Sequence, residues 1–300
     1  MKVVITGANS AVGQAIFRCV RKRGPSLDTF IAAVRSSRAE QQLRSQIGDL
    51  GGVVRISYDD PATLDAAFRG VCSIVHLAGI LVEQPHSTYE DANVGSTRSV
   101  VEGAKRNRVE KLTLVSAIGA DENSRNRYYR TKAQAEALVR ESGLCYSILR
   151  VPVLLGPATA GAAALKRQLK AGRTRLIDGG LCQQQPLHVD DLARAAMVVA
   201  TRPSVARDTM LELVGPCSLS ERELVERTAR SLGRTIRIRP IPKRLLSVAL
   251  AIRERVASRG FSRDALDVIT ADTHVAPQPA ARELGIELTG IDQMIQDSLS

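Results

Sequence analysis

Met1-Lys2-Val3-Val4-Ile5-Thr6-Gly7-Ala8-Asn9-Ser10-Ala11-Val12-Gly13 runs a short apolar strand straight into a Gly-x-x-x-x-x-Gly turn, and a helical pattern follows. A buried strand ending this way gathers backbone N–H groups and a helix N-terminus at one point, where a pyrophosphate binds well. Three-glycine versions of this turn carry a glycine between these two. Here Ser10 stands in that place, so its side chain must turn away from the phosphates or donate to one.

The same alternation continues outward. Apolar runs at 3–6, 29–34, 53–57, 73–77, 112–116, 147–151 and 211–214 alternate with helical patterns near 11–23, 39–48, 61–68, 96–106 and 128–142. This is the signature of βαβ units and predicts an α/β fold, a Rossmann-type doubly wound parallel sheet. The Val/Ile/Leu runs imply strands covered on both faces. Asp60-Pro61 reads as an N-cap followed by proline at the first helical position. Ser220-Glu221-Arg222-Glu223 has the spacing of a capping box for a helix to about 232.

The last third changes character. Arg227, Arg230, Arg234, Arg237, Arg239, Lys243 and Arg244 form a basic run without an acid, and an amphipathic pattern covers 245–256. The expected division places 1–154 plus about 183–214 in a dinucleotide-binding domain. Residues from about 155–182 and 215–300 then form a smaller substrate or partner lobe over the carboxyl ends of the strands.

Hydrophobic residues at 44% and charged residues at 24% of 300 describe an ordinary globular chain. The net charge of +11 suits anionic partners: phosphorylated cofactors, or an acidic membrane or protein surface met by the basic run. Aromatics at 3% leave little for stacking on bases, which argues against nucleic acid. No stretch approaches a membrane span. The first strand opens at residue 2, so no signal or transit peptide is expected. Cys19, Cys72, Cys145, Cys182 and Cys217 are scattered, which argues against a zinc site or disulfide framework and fits a reducing cytoplasm.

Two further constellations carry chemistry. After the second strand, an NAD site would place an acid on the ribose 2′-hydroxyl, whereas this chain reads Val34-Arg35-Ser36-Ser37-Arg38. Two guanidiniums and two hydroxyls suit the 2′-phosphate of NADP, favouring NADP(H) over NAD(H). Tyr128 and Lys132, four apart on a helix, share one face, and a nearby ammonium would lower the phenol's pKa toward a useful range. Twelve residues upstream, Ser116 ends a strand, where its hydroxyl could bind the same carbonyl oxygen. His188 is expected to pack beside a helix start capped by an aspartate, and His76 to be a satisfied core residue.

With these motifs in place, the chain resembles the extended and atypical branches of the short-chain dehydrogenase/reductase superfamily. The resemblance runs through Thr6-Gly7 to Gly13, Val75-His76-Leu77-Ala78-Gly79, Asn93-Val94, Val115-Ser116-Ala117, Tyr128/Lys132, Arg150-Val151-Pro152 with Gly156-Pro157, and His188-Val189-Asp190-Asp191. The segment 240–256 and Leu284-Gly285-Ile286 look most like bacterial relatives of the NADPH-binding accessory subunit of respiratory complex I. The resemblance implies that Gly7, Ala8, Asn9, Ser10, Ala11, Val12 and Gly13 wrap the pyrophosphate. Arg35, with Ser36 and Arg38, would face the 2′-phosphate, and Leu77, Ala78 and Gly79 would pass beneath the adenosine ribose. Lys132 would hold the nicotinamide ribose, Pro152 and Val153 would flank the nicotinamide, Tyr128 would be the acid/base, and Ser116 would position the carbonyl. The family's aspartate near the adenine falls on Ser57, with Asp59 as a shifted candidate.

The resemblance thus implies an NADP(H)-dependent oxidoreductase acting on a carbonyl/alcohol, or an epimerase or dehydratase on a nucleotide-linked sugar. The alternative is a non-catalytic NADPH-binding structural, assembly or redox-sensing module like the complex I subunit or NmrA-type regulators. Either would be cytoplasmic or peripheral to a membrane, with possible association with a respiratory complex through the basic lobe.

Overall fold

In the computed structural model, residues 1–23, 29–48, 51–77, 79–170, 172–202, 204–256, 260–273, 275–276 and 279–300 are described. The chain begins β1 (Lys2–Thr6), α1 (Ala11–Arg23), β2 (Thr29–Val34), α2 (Ser37–Ile47), β3 (Val53–Arg55), α3 (Pro61–Phe68) and β4 (Ser73–His76). A π-helical turn, Glu90–Gly95, leads into α4 (Ser96–Arg106), followed by β5 (Lys111–Ala117), α5 (Arg127–Arg140) and β6 (Cys145–Val151). Then come β7 (Leu154–Leu155), α6 (Ala160–Lys170), β8 (Arg173–Ile177), β9 (Gln183–Gln184), β10 (Leu187–His188), α7 (Val189–Thr201) and β11 (Thr209–Glu212). The chain closes with β12 (Leu219–Ser220), α8 (Glu221–Ser231), β13 (Arg237–Ile241), α9 (Lys243–Val256), α10 (Arg263–Ile269), α11 (Pro279–Leu284) and α12 (Ile291–Leu299).

Among the described residues, seven strands form one sheet in the order β11-β6-β5-β4-β1-β2-β3, and every pairing is parallel. The doubly wound sheet expected from the sequence is therefore observed. One face carries α1, α2 and α7, with Ile16, Phe17, Leu43, Leu192 and Val199 packed on Val3, Ile5 and Val75. The other carries α3, α4 and α5, with Leu64, Phe68, Val100 and Val139 packed on Val4, Ile74, Leu112 and Leu114. Strands covered on both sides have no solvated face, which is why they read as unbroken apolar runs.

The order reverses between β1 and β4, so their carboxyl ends open a crevice. A third apolar cluster joins Leu165 of α6, Leu176 of β8, Leu224 and Val225 of α8, and Met294 and Ile295 of α12. By contrast, Ala280, Ala281 and Leu284 of α11 pack on the main core.

Local signals are met in part. Asp60 caps α3 by accepting from Ala62 N at 3.0 Å. Ser220 accepts from Glu223 N at 3.1 Å, but the Glu223 carboxylate bonds Arg227 and does not complete the box. At α7 the cap is His188 itself, not an aspartate: its Nδ1 accepts from Asp190 N at 3.2 Å. The aspartates are drawn elsewhere, Asp190 to Arg18 at 2.8 Å and buried Asp191 to Thr289 and Arg194. No described helix is long and apolar enough to cross a membrane.

Candidate functional site

The turn after β1 is shaped by close packing. Gly7 has φ of 70°, a left-handed conformation that favours glycine. A Cβ on Gly13 would lie 2.2 Å from Ala8 O, so only glycine lets α1 approach the turn this closely. Ser10 Oγ accepts from Gly13 N at 3.2 Å and so serves the helix start.

The sheet brings most of the expected cofactor residues to one place. A cavity of about 380 Å³ is lined by Gly7, Asn9, Ser10, Arg35, Ser36, Leu77 and Gly79, together with Ala39, Tyr58, Ile80 and Ala92. Ala8, Ala11, Val12 and Gly13 lie behind this lining, where Ala8 and Val12 join the core. Ser36 caps α2 by accepting from Ala39 N at 3.2 Å, while Arg38 is exposed on α2 and is not among the lining residues. Ala78 lies outside the described residues.

Ala39, Tyr58, Ile80 and Ala92 are lining residues that sequence reasoning missed, and Tyr58 is the one among them with an aromatic ring. The Arg35 guanidinium lies over its ring at 6.0 Å. Ser57 Oγ accepts from Asp59 N, forming a turn that leaves Asp59 exposed and places neither residue in the lining. The only sequence hint was an aromatic directly after the third strand. Beneath Tyr58, buried His76 meets Thr6 Oγ1 at 2.6 Å through Nδ1, and burial pushes its pKa down to about 3. It is a neutral, satisfied core residue, as expected.

A second cavity of about 360 Å³ adjoins the first, since Ile80 lines one and Leu81 the other. Tyr128, Tyr129, Pro152 and Val153 line it, with Ala117, Ile118, Val151, Val268 and Ile269. Both tyrosines therefore face the same space, and Tyr129 also rests on Gly119, where a Cβ would meet its ring at 3.1 Å.

Behind this cavity α5 is tied to the sheet. The side chain of Lys132 is buried, and its Nζ donates to Val115 O at 2.8 Å. Burial pushes this ammonium down to about 8, opposed by Glu136 one turn on. Glu136 is held by Arg150 at 2.7 and 2.9 Å. Asn93 donates to Thr131 Oγ1 at 3.0 Å and accepts from Ile80 N at 3.3 Å. A Cβ on Gly79 would lie 3.0 Å from Asn93 Oδ1 and 3.5 Å from Lys132 Nζ, so these three groups converge at the seam between the cavities.

Two expectations about chemistry need correction here. The Tyr128 phenol is pushed above its ordinary range rather than lowered: burial is the main cause, and Tyr129 and Tyr89 add to it. The Tyr89 ring packs edge-on against Tyr128 at 5.9 Å, clamped by Arg127, which bonds both Glu83 and Asp264. Ser116 Oγ is buried without a hydrogen-bond partner and is not part of the cavity lining, where Ala117 and Ile118 stand. The end of β5 thus carries the serine inward.

A dinucleotide fits these residues. A Cβ on Gly13 would collide with the main chain of the turn, the described lining of the first cavity holds a guanidinium and no carboxylate, and Lys132 stands at the seam. Residues 7–177 match the family described as NAD(P)H-binding. The mitochondrial NADH-ubiquinone oxidoreductase 40 kDa subunit of Neurospora crassa is 24% identical over 94% of this chain and 74% of its own. Among solved structures, UDP-glucuronic acid 4-epimerase from Bacillus cereus, in complex with UDP-glucuronic acid and NAD, has a TM-score of 0.78. It is 15% identical, covering 100% of this chain and 98% of that one. The NADPH-dependent quinone oxidoreductase of Escherichia coli, complexed with NADPH, has a TM-score of 0.73 at 19% identity, covering 98% of both chains. The chain therefore belongs to the NAD(P)H-binding family, has the Rossmann-type fold of the NADPH-dependent quinone oxidoreductase, and is similar to the 40 kDa subunit of NADH-ubiquinone oxidoreductase.

Proposed function

We propose that the protein is an NADP(H)-preferring oxidoreductase that moves a hydride between the nicotinamide and the carbonyl/alcohol carbon of an uncharged, mostly apolar substrate. The observation that carries this is the second cavity: Tyr128 stands beside Pro152 and Val153, with Lys132 one turn along α5 at the seam. NADPH, when bound, supplies the hydride. In reduction the substrate's carbonyl oxygen would take the Tyr128 proton; burial raises this phenol and makes it a weaker acid, so Lys132 and the bound cofactor's positive ring must draw it back toward neutral pH. Lys132 would hold the ribose, and its ammonium would support the phenolate left behind.

Preference for the 2′-phosphorylated cofactor is supported by Arg35 over Tyr58 and by the absence of a carboxylate from the described lining of the first cavity. The substrate reading is supported by the second lining, where Asp272 is the sole charged group among the described residues. A nucleotide-linked sugar brings a diphosphate that needs cations, so the apolar carbonyl is favoured over the sugar. Residues of about 155–182 and 215–300 would form the lobe that shapes this end, and its basic segment would meet an anionic surface such as a membrane or a respiratory complex.

A second reading, a non-catalytic NADPH-binding module, is favoured by one observation. Tyr89 and Tyr129 box in the Tyr128 ring, at 5.9 and 5.6 Å. NADPH oxidation followed with a quinone, a long-chain 3-oxo ester and a UDP-sugar separates the readings. Turnover with either of the first two supports the enzyme. Turnover with the sugar alone overturns the substrate reading, and NADPH binding without any turnover supports the module.

A further inference from the structure

Helix α9 leaves an apolar stripe in solvent. Leu245 is 67% exposed, and Val248 and Ile252 are each 59% exposed. Spaced three and four apart, they share one face, on which Ala249 is also exposed. The opposite face holds the helix to the body through buried Leu250 and through Arg253, which donates to Phe261 O. Exposed Arg244 and Arg255 frame the stripe, and neither has an ion-pair partner among the described residues. The adjoining strand β13 and its approach add exposed Arg234, Arg237 and Arg239, equally unpaired among the described residues. The acid on α9, Glu254, is already neutralised by Arg263 at 2.9 Å.

We infer that the outward face of α9 docks on an anionic lipid surface, with the helix lying in the headgroup plane and Leu245, Val248 and Ile252 turned toward the acyl chains. An aliphatic stripe framed by arginines matches an interfacial helix, whose cations meet lipid phosphates while its apolar face enters the boundary. Like charge opposes pairing with a second copy through this face. The lack of an aromatic anchor sets it apart from protein hot spots, which are rich in Trp and Tyr. The inference rests on the proposed role of the basic lobe as a contact with anionic surfaces. It also places α10, which carries the cavity residues Val268 and Ile269, beside the docked helix, a suitable arrangement for an apolar substrate.

The test is co-sedimentation of the full chain with vesicles of phosphatidylcholine alone and with about one-third phosphatidylglycerol. Binding is expected to the anionic vesicles, to weaken with added salt, and to be nearly absent on the neutral ones. Each arginine at such a surface is worth a factor of roughly five, so Arg244→Glu/Arg255→Glu should weaken binding at least tenfold, as should Val248→Glu/Ile252→Glu. These side chains are exposed, so melting temperatures should not move. Since the chain has no tryptophan, Val248→Trp supplies a single reporter whose emission should shift to the blue on anionic vesicles. Equal binding to neutral vesicles, undiminished binding by both charge variants, or a dimer dissolved by them would overturn the inference. NADPH titration of the same variants separates this outcome from failure of the cofactor site, because none of the four positions lines either cavity.

Discussion

Gly13→Ala tests the turn most sharply. The added Cβ would sit 2.2 Å from Ala8 O and 2.6 Å from Ala8 C and Cα, whereas real Cβ contacts stay beyond 3.0 Å. The obstacle is main chain, so the turn must open by about 0.8 Å. Overpacking of this kind costs up to about 3 kcal/mol, and the helical preference of alanine over glycine returns about 1 kcal/mol. The net loss of about 2 kcal/mol lowers the melting temperature by roughly 4–8 °C. The effect on binding is larger in proportion. N–H groups normally about 2.9 Å from an acceptor move to about 3.7 Å, beyond hydrogen-bond range. Two such bonds to a charged phosphate, at roughly 1.5 kcal/mol each, amount to about 100-fold in affinity. NADPH fluorescence titration and thermal melting read both effects. Gly95→Ala is the control, since its Cβ would meet only Glu90 O at 3.6 Å. If Gly13→Ala binds NADPH within threefold of the parent, the turn is not the pyrophosphate site.

Three other outcomes are expected. Tyr128→Phe keeps NADPH affinity but loses about 10²–10⁴-fold in turnover on a reducible substrate; unchanged turnover removes Tyr128 from the reaction. Ser116→Ala, which deletes a buried unpaired hydroxyl, should leave stability unchanged or slightly raised by thermal melting. Because burial holds Lys132 at about 8 in the free protein, NADPH affinity should fall as pH rises through 8, the anionic cofactor favouring the ammonium. Lys132→Arg should flatten that slope. The sign for folding is opposite: between about 8 and 10.4 the unfolded chain binds more protons, so unliganded stability rises with pH across that window.

The βαβ frame was legible because strands buried on both faces must be apolar throughout, and helices between them must repeat every three to four residues. The carboxyl ends of those strands then meet by topology alone. For that reason Gly7, Arg35, Gly79, Tyr128 and Pro152 could be gathered from sequence although they span more than a hundred positions. What escaped depends on single turns and on competition among side chains. Tyr58 enters the cavity from the turn in which Ser57 Oγ accepts from Asp59 N. His188 holds the cap because it directly precedes the helix start at Val189, while Asp190 and Asp191 lie inside the first turn and bond Arg18 and Thr289. The Glu83–Arg127–Asp264 clamp over Tyr89 joins residues far apart in the chain and carries no local pattern. The sign of the Tyr128 shift was misjudged because burial of the phenol raises it, Tyr129 and Tyr89 add to that, and the Lys132 ammonium is turned to Val115 O.

The most direct test is calorimetric titration of the protein and of Arg35→Ala with NADPH and NADH under the same salt. The account predicts that the parent prefers NADPH, and that Arg35→Ala weakens NADPH about 10–100-fold through one lost charge-assisted contact while NADH changes little. Equal loss for both cofactors, or no preference in the parent, would contradict the assignment of Arg35 to the 2′-phosphate. Failure to bind either cofactor would contradict the dinucleotide site itself.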